Sequence, residues 1–175
     1  MPIYEVNNRR PVIGEGTWIA PSAEIIGDVT IGKNCYVGFG AIIRGDYGTI
    51  TIGDETAVEE GVTIHARPFD RATIGARVTI GHMAMIHNCT IKDLAVIGMM
   101  SVVSDYSTVG EWAIIGEHAL VVNKQAVPDA KIYAGVPAKE IGDVQQKHRD
   151  VWTLGKQVYV DLTSQYRASF RRIDV

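Results

Sequence analysis

The stretch IKDLAV-IGMMSV-VSDYST-VGEWAI-IGEHAL-VVNKQA-V, residues 91–127, opens every block of six on an aliphatic residue: Ile91, Ile97, Val103, Val109, Ile115, Val121 and Val127. Four residues into each full block stands a small or compact residue: Ala95, Ser101, Ser107, Ala113, Ala119 or Gln125. The same rhythm runs upstream through Ile19, Ile25, Ile31, Val37 and Ile43, partnered by Ala23, Val29, Cys35 and Ala41. After a break it resumes at Ile52, Val58 and Ile64, with Thr56 and Val62 as partners. After a longer break it returns at Ile74, Ile80 and Ile86, with Val78, Ala84 and Thr90. A helix would place apolar residues near every 3.6 positions and an ordinary strand every 2. A period of six is a short strand and a corner, repeated. Inward aliphatics form a ladder, the small partner lets the chain turn, and three units close one triangular coil. Coils then stack about 4.8 Å apart as parallel strands.

This pattern resembles the hexapeptide-repeat proteins over roughly residues 10–140. The resemblance implies an all-β solenoid, a left-handed parallel β-helix; the handedness comes from the family, because the usual crossover rule is right-handed. Pro137 and Gly142 close the repeats. Beyond them Val144, Val151, Trp152, Gly155, Val158, Tyr159, Leu162, Tyr166 and Phe170 recur at steps of three and four, which predicts an amphipathic C-terminal α-helix over about 142–171. The expected division is a β-helix domain over 1–141, with residues 1–16 capping one end and 128–141 the other. The helix of 142–175 packs on the prism or on a neighbouring subunit.

Composition agrees with a folded globular chain. Of 175 residues, 46% are hydrophobic and 21% charged, and 17 basic residues against 20 acidic leave a net charge of −3. Nucleic-acid binding would call for a basic surplus, so no nucleic-acid partner is expected. No apolar run approaches the roughly 18 residues that span a bilayer, so no membrane association is expected either. The start Met1-Pro2-Ile3-Tyr4-Glu5 lacks the layout of a signal peptide, and the two cysteines, Cys35 and Cys89, make no disulfide framework. Both read as core, and the expected location is cytoplasmic.

The breaks in the rhythm place the chemistry. Hexads one full coil apart share a prism face, so Ile43, Ile64 and Ile86 form one column and Val58 and Ile80 another. The residue after an inward aliphatic points outward. In the first column these are Arg44, His65 and His87, stacked on one outer face. His82 follows Ile80 by two and belongs to a different face. Two imidazoles one strand spacing apart can share a metal ion, whereas a third from another face does not close the set within one chain. In a threefold trimer the neighbour's His82 completes it, and three neutral imidazoles with an open position are a catalytic metal arrangement. His118, at a corner, and His148, on the helix, read as solvated or hydrogen-bonded histidines.

The segments Ile43-Arg44-Gly45-Asp46, Gly61-Val62-Thr63-Ile64-His65, Ile80-Gly81-His82-Met83-Ala84-Met85-Ile86-His87-Asn88-Cys89 and Tyr133-Ala134-Gly135-Val136-Pro137-Ala138-Lys139 resemble the gamma-class carbonic anhydrase-like family. That resemblance implies a homotrimer with three interfacial sites, His65 and His87 from one subunit and His82 from the next. It implies Zn2+, or alternatively Fe2+ or Co2+, with Arg44 binding bicarbonate and Asp46 ordering the interface. The implied activity is reversible hydration of carbon dioxide by a metal-bound hydroxide. Where the family often reads Asn-x-Gln-Asp-Gly, this chain has Ala57-Val58-Glu59-Glu60-Gly61. Glu59 can orient the reacting water or take its proton, as the amide would orient it, and Glu60 can pair with an arginine across the interface; for both, the alternative is a plain surface charge. The tail, Trp152-Thr153-Leu154-Gly155-Lys156-Gln157-Val158-Tyr159, resembles members linked to phenylacetate and carnitine gene clusters, in which Tyr159 overhangs the site to contact a small-molecule substrate; helix packing is the alternative. The rival functions are a metal-dependent acyl-thioester hydrolase, a coenzyme-A-dependent acyltransferase, and a scaffold trimer with a vestigial site.

Overall fold

The computed structural model describes residues 3–173. The repeats build a left-handed parallel β-helix whose strands pair one coil to the next. Three inward columns run along it. One is Ile25, Ile43, Ile64, Ile86, Val103 and Val121. The second is Ile19, Val37, Val58, Ile80, Ile97, Ile115 and Tyr133. The third is Ile31, Ile52, Ile74, Ile91, Val109 and Val127. The expected sharing of faces by Ile43, Ile64 and Ile86, and by Val58 and Ile80, is therefore what the register shows. Apart from Tyr133, which is half-buried, these residues are buried, and Ala23, Cys35, Ala41, Val78, Ala84 and Ala95 fill the corners beside them.

The corners are sharper than side-chain size alone would indicate. Between the third and second columns, the turning residue of each coil is left-handed: Asn34, Glu55, Arg77, Leu94, Trp112 and Ala130 all have φ between 51° and 63°. Such a conformation costs an ordinary L-residue roughly 1 kcal/mol. The stack compensates, because each of these residues donates its N–H to a carbonyl of the preceding coil, as in Asn34 to Glu15 at 3.0 Å and Ala130 to Glu111 at 2.8 Å. The two breaks are loops and long strands at one corner. Ile42–Ile52 runs through it as a single strand, and residues 66–70 bulge outward there before Arg71–Ile74 resumes the column.

Both ends are covered. Ile3–Tyr4 and Val12–Ile13 pair in parallel with Glu24–Ile31. At the other end Lys131–Ala134 pairs antiparallel with Lys139–Asp143. That last strand takes residues the periodicity assigned to the helix, which instead spans Gln146–Ser169. His148 caps its start, its Nδ1 accepting the Gln145 N–H at 3.0 Å. The helix lies on its own prism, against the face carrying Trp18, Tyr36 and Ala57. There Trp18 stacks on Tyr36 and meets the edges of Tyr166 and Phe170. The buried meridian differs from the expected apolar stripe: Val151 and Val158 are 66% and 60% exposed, whereas Lys156 and Thr163 are buried. The line from Trp152 to Tyr159, Tyr166 and Phe170 passes through position 156, so the lysine follows the helix into the interface. Its ammonium finds Thr79 Oγ1 at 3.2 Å and the Ala95 carbonyl at 3.1 Å.

Candidate metal centre

Adjacent coils bring Arg44 opposite His65 and His65 opposite His87 on one outer wall. The two imidazoles are tilted by 47° with centroids 5.2 Å apart, and His65 Nδ1 lies 3.1 Å from His87 Nε2. The remaining ring nitrogens are held by carboxylates. His65 Nε2 is 3.3 Å from Asp46 Oδ1, and His87 Nδ1 is 2.5 Å from Asp105 Oδ1. Each carboxylate in turn meets an arginine: Arg44 donates to Asp46 at 2.5 Å, and Arg67 Nε is 3.3 Å from Asp105 Oδ2.

This hydrogen bonding sets the tautomers. A carboxylate accepts, so each ring presents its N–H to it, leaving the facing nitrogens, Nδ1 of His65 and Nε2 of His87, with lone pairs pointing at one another. Two lone pairs at 3.1 Å repel unless a proton or a metal cation lies between them. A tetrahedral ion with N-bond lengths near 2.0–2.1 Å has ligands about 3.3 Å apart, so the pair matches one edge of such an ion. The donor set fits a borderline divalent metal, with each imidazole steadied from behind by a carboxylate. Burial, and then the Arg44 charge, hold the His65 imidazole below its ordinary pKa, which favours the neutral ligating form. For Asp46 burial pulls upward, but the Arg44 hydrogen bond and charge outweigh it and keep the carboxyl below its usual range.

His82 sits elsewhere, past Ile80 at the edge of the second column, and within one chain it does not join the other two. Its ring lies between Glu59 Oε2, 3.1 Å from Nε2, and Glu60 Oε2, 2.8 Å from Nδ1. Its backbone N–H also donates to Glu59 at 3.1 Å, and Tyr36 donates its hydroxyl to Glu60 at 2.6 Å. Glu59 is buried; that burial raises its carboxyl above the usual range, against the hydrogen bond from Tyr159. Tyr159 thus packs on Tyr36, with centroids 5.1 Å apart, and also reaches the site. Among the described residues no three His, Cys, Asp or Glu side chains of one chain group as a metal site. The chain instead carries two separate groups, His65 with His87 and His82 with its glutamates. Beside His82 a groove of about 500 Å³ runs between the helix and the prism edge, floored by Thr79, Val96 and Ile114 and walled by Trp152.

Four contributors escape a reading of the linear pattern. Asp105 had a usable signal, since Val103 lies directly below Ile86 and Asp105 follows it by two. Tyr36, outward in the second column, also had one. Arg67 lies in the loop that breaks the period and so has no register. Lys156 reads as a polar interruption of an apolar helix face.

The chain can now be placed among known proteins. The family profile for bacterial transferase hexapeptide (six repeats) matches residues 10–45. A probable carbonic anhydrase of Methanocaldococcus jannaschii is 40% identical over 136 residues, 78% of this chain and 86% of that relative. Gamma carbonic anhydrase 2, mitochondrial, of Arabidopsis thaliana is 29% identical over 99% of this chain. The chain spans only 66%, 52% and 64% of the lengths of gamma carbonic anhydrases 2, 1 and 3 of that plant. A Bacillus cereus crystal structure, described as a putative acetyltransferase, superposes with a TM-score of 0.93 at 32% identity, covering 95% of this chain and 96% of that one. A parallel β-helix of six-residue repeats defines the class, the hexapeptide-repeat proteins. Within it, the chain belongs to the gamma-class carbonic anhydrase-like family. Among the described residues no helix is long and apolar enough to cross a membrane.

Proposed function

We propose that the protein is a metal-dependent carbonic anhydrase-like enzyme, hydrating carbon dioxide reversibly at sites shared between copies of a homotrimer. The single observation that carries this reading is the pair of ring nitrogens, His65 Nδ1 and His87 Nε2, facing each other at 3.1 Å while their other nitrogens meet carboxylates. His65 and His87 from one copy and His82 from the next would hold the ion, Zn2+ or alternatively Fe2+ or Co2+; His82 would keep its Nδ1–H on Glu60 and turn Nε2 from Glu59 to the ion. Such an ion supplies Lewis acidity, bringing water towards a pKa of about 7. The chain's own groups do the rest. Arg44, beside the histidine pair and oriented by Asp46, holds the anionic product. Glu59 orients the reacting water through an accepted hydrogen bond and takes up its proton. Glu60, bonded by Tyr36, positions His82. Tyr159 roofs Glu59 from the helix and keeps bulk water from it. The two half-sites lie on different faces of one prism, and a threefold arrangement brings unlike faces together, so the trimer is part of the same proposal.

The test is carbon dioxide hydration by the protein loaded with zinc or iron, measured beside His87→Ala. Turnover is expected in the parent and lost by at least a hundredfold in the variant (about 3 kcal/mol of barrier). Equal rates in the two reject the reading. A second reading, acyl transfer from coenzyme A, draws support from the description of the Bacillus cereus neighbour. Metal-free protein that binds acetyl-coenzyme A and transfers its acetyl group would favour that reading.

A further inference from the structure

The break in the repeat between Ile64 and Ile74 does specific work beside the histidine pair. It forms a loop at residues 66–70, and that loop is tied down rather than loose. Asn88, buried and next in sequence to His87, accepts the Arg67 backbone N–H at 3.0 Å and donates to Asp70 at 3.0 Å. The anchor fixes where the Arg67 side chain starts, and its guanidinium meets Asp105 at 3.3 Å. Asp105 comes from the coil on the other side of His87, and its second carboxylate oxygen accepts the His87 Nδ1–H at 2.5 Å. The result mirrors the opposite flank. Arg44, Asp46 and His65 form one arginine–carboxylate–imidazole series, and Arg67, Asp105 and His87 form the other. The two series converge on the facing nitrogens.

We propose that Asp105, braced by Arg67, is a positioning residue for metal binding: it holds the His87 ring in the orientation and tautomer that leave Nε2 free to ligate. This rests on the reading of the pair as a metal centre. A carboxylate behind a ligating histidine restricts ring rotation and raises ligand basicity, and losing one typically weakens metal affinity by roughly 10–100-fold. An ordinary surface ion pair has no such effect on affinity, and it alters stability by little.

The experiment uses the full chain and two probes, Zn2+ affinity by competition with a chromophoric chelator and the visible absorption of bound Co2+. Asp105→Asn is expected to weaken Zn2+ binding by about 10–100-fold and to shift the Co2+ bands, with Asp105→Glu restoring part of both. Arg67→Ala is expected to weaken Zn2+ binding by less than tenfold, in the same direction, and to leave the melting temperature of the metal-free protein unchanged. Zn2+ affinity within twofold of the parent in Asp105→Asn, with an unchanged Co2+ spectrum, overturns the proposal. Should Asp105→Asn fail to fold, Arg67→Ala decides it, with unchanged affinity and spectrum overturning the assignment. A parent protein that binds no stoichiometric metal overturns this proposal and the metal centre together. A parent that binds metal without hydrating carbon dioxide overturns only the activity.

Discussion

Lys156 shows how a single residue can run against the pattern of its element. At 2% exposure it is the bulkiest fully buried side chain, and burial, followed by the Arg77 charge, pulls its pKa from 10.5 down to about 7 against the opposing pull of Glu59. The unfolded chain keeps this proton up to about 10.5 and the folded chain sheds it near 7, so between those values the unfolded state binds more protons. The stability owed to this group therefore rises with pH across that window and lies flat at its minimum below it. Replacing a buried charge with an apolar side chain of similar length is often stabilising by about 1–4 kcal/mol. Lys156→Met should accordingly melt above the parent at about pH 7 and lose that advantage by about pH 10; calorimetry at the two values checks it. Gly110 makes the opposite case. A Cβ there would stand 2.4 Å from the Asp129 nitrogen of the next coil, so Gly110→Ala should cost about 1–3 kcal/mol in chemical denaturation while metal binding is unchanged.

At the scale of elements, the helix is held by one aromatic cluster at its far end and one buried amine at its middle. Trp18 touches Tyr36, Phe39, Tyr166 and Phe170, so it joins the first coils to the last helical turns. Trp18→Ala should destabilise the protein by about 3–5 kcal/mol. Because Tyr159 lies on the same helix and bonds Glu59, the variant should also lose protection from hydrogen exchange along Gln146–Ser169 before the β-helix does. Loss of protection in helix and coils together would show that they unfold as one unit. The existence of this helix is legible from its three- and four-residue steps. Its start is not, because Lys139–Asp143 gains more by pairing with Lys131–Ala134 than a helical turn there would provide.

The whole molecule decides whether the site exists. One copy holds His65 and His87 on one face and His82 on another, so the proposed centre needs two copies in a ring. His65→Ala and His82→Ala should each abolish stoichiometric metal binding. A trimer reassembled from an equal mixture should recover about a quarter of the sites, since each site takes the pair from one copy and His82 from the next. Metal analysis of the mixture checks this, and recovery of none would place all three ligands within a single chain.

The six-residue period alone determined the coils, the three inward columns and the stacking of Arg44, His65 and His87. It could do so because one period is one strand and one corner, so position in the chain converts directly into position on a face. The tertiary structure decided what the period does not encode. The 66–70 loop lies outside the register, so only folding shows Arg67 against Asp105. The helix has no prism in its own sequence, so only packing shows that its buried side carries Lys156 while Val151 and Val158 face outward. The period already sets Glu59 on the face of His82, one coil away; only the folded chain shows the His82 ring lying between Glu59 and Glu60, with Tyr36 on the latter.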